Sequence, residues 1–267
     1  MSSQNLSDVL LSRLAARVTQ DEIDGRMGSD LYKRQVPRRE HPSLSFLNPE
    51  PWAEPVPASA LLQDLTTTIT DYVAMPGPLA LAVSLWAMHT HILDVCETTP
   101  RLVITSSQPA CGKSALLNLL SQLVARPLDL CDADCRGILW SLGYRPTLLI
   151  DDPSALFAGK EMRAVLRNGR RRKGGCFIRR VDTYVRRIDI FTAAAIAVDG
   201  NIAPMLRDRC IEICLDPLKP GETVQRIGSA PDEVLSLLAR RMHRWAADTM
   251  VTLREADAPR AAMRDEH

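Results

Sequence analysis

The chain has 267 residues, of which 46% are hydrophobic and 24% charged, and a formal net charge of +1. Those proportions are ordinary for a soluble globular protein with a real core, and the length allows one domain with appendages or two small ones. A charge balance near zero excludes a global signal for nucleic acid or membrane, so any electrostatic message must be local.

The N-terminus lacks a basic start followed by an apolar core, so no secretory signal is expected. The longest apolar runs, such as 79–88, stop well short of the roughly 18 residues a membrane span needs. Seven cysteines form an odd set without framework spacing, which fits reduced thiols in a cytoplasm. The pairs Cys131/Cys135 and Cys210/Cys214 have a weak spacing for zinc and are read as buried thiols.

In chain order, residues 7–25 have a Ser start, apolar residues at helical spacing and a Gly stop, which predicts a short amphipathic helix. Six prolines between Pro37 and Pro57 rule out a helix or a central strand, so 26–57 reads as linker or extended wrap. Helices are expected at 58–73 and 78–96, the second with Leu81, Leu85, Met88 and Ile92 on one face. His89, His91 and Asp94 invite a ligand reading. The two histidines lie two apart on a helix and face different ways, so packing or capping is their expected role.

From Pro100 the texture changes. RLVIT (101–105), PLDL (127–130), TLLID (147–151), IDIFTAAAIAV (188–198) and CIEICL (210–215) read as strands. Helical patterns at 114–125, 135–143 and 155–169 fall between them. This alternation predicts a five-stranded, largely parallel sheet covered by helices on both faces. A final helix is expected over 232–255, with Val234, Leu238, Met242 and Trp245 at helical spacing. The organisation is therefore 1–57 as N-terminal helix and linker, 58–220 as the main α/β domain with leading helices, and 221–267 as a C-terminal helical segment.

The stretch TSSQPACGKSALL (105–117) has the form of a phosphate-binding loop, G-x-x-x-x-G-K-[ST], with Ser107 in place of the leading glycine. It lies between a strand and a helix, where backbone N–H groups and the helix dipole favour a phosphate. Ser107, Ala110, Cys111, Gly112, Lys113, Ser114 and Ala115 would line a nucleotide, with Lys113 on the β- and γ-phosphates and Ser114 on magnesium. Serine serves at 107 if the backbone there avoids positive φ. TLLIDD follows, an apolar strand ending in two acids. Asp151 would hold Mg2+ and Asp152 would orient the attacking water. Together the two motifs point to a P-loop nucleoside triphosphatase that uses ATP and Mg2+.

Between Lys160 and Arg187 lie eleven Lys/Arg against two acids, a local +9 that leaves about −8 for the rest of the chain. CFIRRV and VRRIDI flank a short DTY turn and read as a β-hairpin. Arg170, Arg171, Arg172, Lys173, Arg179, Arg180, Arg186 and Arg187 suit a nucleic-acid backbone; a solvated basic face or a patch for an acidic partner is the competing reading. Beyond the next strand, Asn201 is placed to contact the γ-phosphate or attacking water, and Arg207 or Arg209 to reach a neighbouring subunit's nucleotide.

The blocks PEPWAEPV…LLQDL, LWAMHTHILD, PRLVITSS…CGKS, RPTLLIDD, LRNGRRRKGG, VRR and MLRDRCIEI resemble a family of bacterial and phage proteins with a P-loop ATPase region, found near primase-helicases of mobile elements. The resemblance covers roughly residues 48–250. It implies a fold similar to the AAA+ and superfamily-3 helicase group, acting as a ring on DNA. It implies Lys113 and Ser114 at the nucleotide, Asp151 at magnesium, Asp152 as catalytic acid, Asn201 near the sensor position and Arg209 as the candidate finger. It also implies that the basic hairpin touches DNA, with single-stranded DNA the expected partner.

Three departures qualify that expectation. Asp152 stands where the family has Glu, one methylene longer, which implies slower water activation with binding retained. The short tail implies loss of a lid or partner-contact region, and no primase region accompanies the ATPase. The alternatives are a non-hydrolysing nucleotide switch, a degenerate remnant, and a small-molecule or nucleotide kinase.

Overall fold

In the computed structural model the described residues are 46, 49–130, 135–151, 159–181, 184–200, 202, 204–207, 209–228 and 232–255. They belong to the unit Phe46–His267; the expected helix at 7–25, Cys131, Asp152 and Asn201 lie outside them.

Five strands form one parallel sheet: β1 (Arg101–Ser106), β2 (Pro127–Leu130), β3 (Thr147–Asp151), β6 (Ala194–Ala197) and β7 (Cys210–Leu215). Their spatial order is β2-β3-β6-β1-β7. The late strand β6 thus inserts between the two strands that carry the loop and acid motifs. A separate antiparallel hairpin joins β4 (Cys176–Val181) to β5 (Tyr184–Asp189).

Alternation along the strands sorts their side chains into two cores. Leu102, Ile104, Leu149, Ala195 and Ala197 face a layer built from α1 (Ala58–Tyr72), α2 (Gly77–His91), α3 (Lys113–Leu123) and α7 (Glu233–Glu255). Val103, Leu148, Ile150, Ala194 and Ile196 face a second layer, with α4 (Cys135–Ser141), α5 (Lys160–Asn168) and α6 (Pro204–Arg207). A strand buried on both faces reads as a continuous apolar run, which is why Leu148–Ile150 and AAIA lack polar positions. The Pro-rich segment has no helix or strand where it is described before Ala58. Trp52 N–H donates to the Arg240 carbonyl (3.2 Å), Arg240 Nε to the Glu50 carbonyl (3.0 Å) and Arg244 Nη1 to the Ala53 carbonyl (2.6 Å). The strap therefore lies along α7.

Several expectations need correction. α2 stops at His91, and Leu93–Val95 forms a 3-10 turn. The buried residues of α2 include Ala80, Val83, Ser84, Ala87 and the expected Met88, while Leu81 and Leu85 are exposed. The helix is apolar nearly all round, so periodicity could not choose; small residues allow the closest approach and won. Trp86 is buried beside them and donates to the Pro100 carbonyl (3.0 Å). On α7 the buried stripe is Leu235, Leu238, Met242 and Ala246, and Val234 faces outward. The expected strand at 188–198 is two pieces: its start closes the hairpin and Ala194–Ala197 enters the sheet. Cys214 is exposed rather than buried, because β7 is an edge strand.

The sheet's lower end, where its strands begin, is closed by polar contacts. Arg101 is fully buried, with no ion-pair partner among the described residues. Nε and Nη2 donate to the Leu166 (3.1 Å) and Val165 (2.9 Å) carbonyls, and Nη1 to the Thr192 carbonyl. The cation thus sits on carbonyls of the last turns of α5, where the helix dipole favours it. Burial, and secondarily the charge of Arg170, lowers its pKa to about 9, so it stays cationic at neutral pH. Gly169 continues the same joint. A Cβ there would overlap the Ile190 and Val165 carbonyl oxygens.

Two predictions follow from these buried groups. Arg101→Met should destabilise the fold by about 3–5 kcal/mol in urea denaturation. An apolar replacement of an ion pair can be neutral, but here the abandoned partners are backbone carbonyls that no substitution removes. His91 donates through Nε2–H to the Leu123 carbonyl (2.8 Å), and burial lowers its pKa to about 4. A base whose folded pKa is depressed binds protons more readily when unfolded, so stability present above pH 6.5 should be lost as pH falls towards 4. The linked loss is about 3 kcal/mol, and His91→Gln should flatten that part of the pH–stability curve.

Candidate functional site

The loop 107–112 leaves the C-terminal end of β1 and enters α3. In open α/β sheets this end, near the strand where the order of connections reverses, is where ligands bind. Gly112 caps α3 in the left-handed region (φ +94°), with no side chain bonded to the helix's first N–H groups. Those donors are left for a ligand. Ala110 is also left-handed (φ +61°), whereas Ser107 is not. The positive-φ demand therefore falls at 110 and 112, away from the position of the missing glycine. Ser107 instead anchors the loop: its N–H donates to the Leu215 carbonyl (3.3 Å) and its Oγ to Asp216 Oδ1 (3.3 Å).

Lys113 opens α3. Its Nζ donates to Ser106 Oγ (2.7 Å) and pairs with Asp199 Oδ1 (2.9 Å). The lysine side chain is only 11% exposed and the aspartate 87%. A pocket of about 410 Å3 collects Ala110, Cys111, Gly112, Lys113, Ser114, Ala115, Asp151 and Asp199, with Pro109 at its rim. That volume lies within the usual range for small-molecule sites.

The expected loop residues other than Ser107, together with Asp151, are thus brought together. Asp151 ends β3 opposite Ala197 of β6 in register, so β6 carries Asp199 to the same edge. Ser114 and Asp151 are a hydroxyl and a carboxylate on one pocket, the hard oxygen donors that Mg2+ requires. The residues present fit a metal-bound nucleotide.

Asp199 was missed in the sequence. Its relation to Lys113 depends on β6 lying beside β1, and no local pattern announces that.

Arg209 is placed far away. Its carbonyl accepts from Arg101 N–H (3.4 Å) at the beginning of β1. Six strand residues at about 3.3 Å each put roughly 17–20 Å between that end and the pocket. Arg170 and Arg171 share this lower end: the Arg170 carbonyl accepts from Thr99 N–H (2.8 Å), and Arg171 bridges Thr98. Burial lowers the Arg170 pKa, with the charges of Arg171 and Arg209 adding to it. Arg207 is exposed on α6.

Arg172 has an internal role. Nε and Nη2 donate to the Cys96 (2.9 Å) and Leu93 (2.6 Å) carbonyls, and the guanidinium lies over the Phe191 ring at 4.7 Å. Lys173 and Arg187 are exposed. In the hairpin, the register sets Arg179 opposite Arg186, Arg187 opposite Ile178 and Arg180 opposite Val185. Ile178 and Val185 are 70% and 67% exposed, while Ile188 is buried at the hairpin's base. Among the described residues no group of three His, Cys, Asp or Glu could hold a metal, and no single helix is long and apolar enough to cross a membrane.

The sequence matches no protein-family model and no curated protein.

The left-handed alanine gives a stability test independent of any ligand. An L side chain in that region costs about 1–2 kcal/mol, of which glycine's extra unfolded-state entropy takes back part. Ala110→Gly should therefore raise stability by about 0.5–1 kcal/mol in thermal or chemical denaturation. A loss of that size would mean that the loop's turn does not need its left-handed residue.

Proposed function

We propose that the chain binds ATP with Mg2+ in the pocket above α3 and hydrolyses it, as a motor-type, helicase-like domain acting on DNA. The observation that carries the binding half is the convergence of Lys113, the free N–H groups of α3's first turn, Ser114 and Asp151 on one pocket. Lys113 meets the terminal phosphates, the helix start holds the phosphate oxygens, and Ser114 and Asp151 hold the cation. Magnesium, when bound, neutralises charge that develops on the transferred phosphate. Asp152, expected to orient water, follows Asp151 directly in the chain.

The motor half is supported by what lies at the other end of the sheet. The hairpin is rooted just before β6, and Arg170, Arg171 and Arg209 sit at the same lower end. The register sets Arg179 opposite Arg186, and like charges directly opposite favour a ladder that has an anionic partner. Exposed Ile178 and Val185 stand opposite Arg187 and Arg180 in register and offer apolar contact on that face, as nucleic-acid-binding surfaces often do. Arg172, engaged internally, is left out of this set. Since Arg209 cannot reach this chain's own pocket, its catalytic role requires a second copy, as in a ring.

ATP turnover measured with and without single-stranded DNA across a salt series tests both halves. Stimulation by DNA should fade as salt rises, and each phosphate-contacting arginine replaced in the hairpin should lower the salt slope by about 1. Lys113→Ala should abolish ATP binding; retained binding sinks the site assignment. DNA without effect on turnover at any salt sinks the motor reading.

A further inference from the structure

The proposed pocket contains an anion where phosphate should go. Asp199 Oδ1 lies 2.9 Å from Lys113 Nζ, which also donates to Ser106 Oγ. Among the described residues that line the pocket, Asp151 and Asp199 outnumber the one lysine. Asp199 is held in place by its strand rather than by its side chain. Val198 N–H donates to the Ile104 carbonyl (2.9 Å), which fixes the end of β6 against β1. Gly200 follows in the left-handed region (φ +83°), so the chain turns away immediately after the aspartate.

We infer that Asp199 is an internal substitute for phosphate that makes the pocket select metal-complexed over metal-free nucleoside triphosphate. The inference rests on the nucleotide reading above. Lys113 Nζ has three donors, two of which go to Ser106 Oγ and Asp199 Oδ1, so a phosphate oxygen on Lys113 either shares the ammonium with Asp199 or displaces it. Without a divalent cation the incoming polyanion meets two carboxylates, Asp151 and Asp199, in a pocket with one described lysine. Like charges at such contact distances repel appreciably in a partly enclosed site. With the cation bound, part of the phosphate charge is neutralised and both carboxylates gain a positive neighbour. The penalty therefore falls mainly on free ATP. Asp151 alone would impose a weaker version of the same bias, because it does not compete for Lys113. Asp199 is thus a specificity-determining residue, set by its strand's position rather than by the phosphate-loop motif.

Calorimetric titration of ATP in EDTA and in excess Mg2+ tests this on wild type, Asp199→Asn and Asp199→Glu. The asparagine variant should bind ATP in EDTA about tenfold more tightly, equivalent to about 1.4 kcal/mol. It should bind the magnesium complex with little change, so the ratio of the two affinities contracts. The glutamate variant, which keeps the charge, should restore a ratio close to wild type. The side chain is largely exposed, so folding should be unaffected, and melting curves check this. An affinity ratio equal in wild type and Asp199→Asn overturns the inference while leaving nucleotide binding intact. Wild type that binds ATP in neither buffer overturns the nucleotide reading and this inference together.

Discussion

A buried guanidinium bonded to three backbone carbonyls organises the lower end of this molecule. Arg101 starts β1, yet its three donating nitrogens reach carbonyls of α5 and of the segment entering β6. The Val165 carbonyl also accepts from Gly169 N–H (2.8 Å), and a buried carbonyl left without any donor costs about 1–3 kcal/mol. One side chain thus fixes a helix end and the approach to the sheet's third strand. Lysine could not do this as well, because a point charge lacks the planar spread of donors. Thr192 Oγ1 continues the closure by donating to the Pro146 carbonyl, and Thr147 Oγ1 to the Ala125 carbonyl (2.7 Å). With these polar groups satisfied below, the strands open freely only at their upper ends.

That division gives β6 its importance. It is four residues long, made of alanine and isoleucine, and lies between β1 and β3. The basic hairpin is rooted at its start and Asp199 stands just beyond its end. Small alanines on a central strand let the helical layers come close on both sides, so the strand sits as a rigid spacer rather than a hinge. On the proposed function, a force on the hairpin and the occupancy of the pocket meet through this one element. Arg145 adds a further tie at the hairpin's base, pairing with Asp94 (2.8 Å) and more distantly with Asp189 (4.0 Å).

How much could be read from residues alone depended on whether the deciding contact was local. β2, β3 and β7 were legible to the residue, since short apolar runs bounded by Pro, Asp or Arg leave little freedom. The loop residues and Asp151 were legible because a chain-local pattern puts them at the same sheet edge. The buried face of α2 was not, because an all-round apolar helix carries no orientation signal. Nor was Arg172, which looked like its neighbours in an RRRK run. Only the packing against Phe191 and the 3-10 turn separates it from them. Asp199 and Arg101 belong to the same class: each acts through a partner far away in sequence, joined by strand order rather than by spacing.

The missing glycine is explained by the same distinction between local pattern and three-dimensional demand. The leading glycine of a phosphate loop serves wherever the turn requires positive φ. Here the loop leaves β1 with Ser107 bonded to the far end of β7, through Leu215 and Asp216. That attachment continues the β1–β7 ladder past its last registered pair, Ser106 with Leu215, so the chain has no reason to turn at 107. The reversal is postponed to Ala110 and Gly112, and it is completed at the helix start where the N–H groups emerge. A serine at the first position therefore costs nothing conformationally and gains an anchor. The strain has moved to an alanine, and a non-glycine residue in that region persists only where the surrounding structure over-determines it. Here the ladder on one side and the cap of α3 on the other supply that constraint.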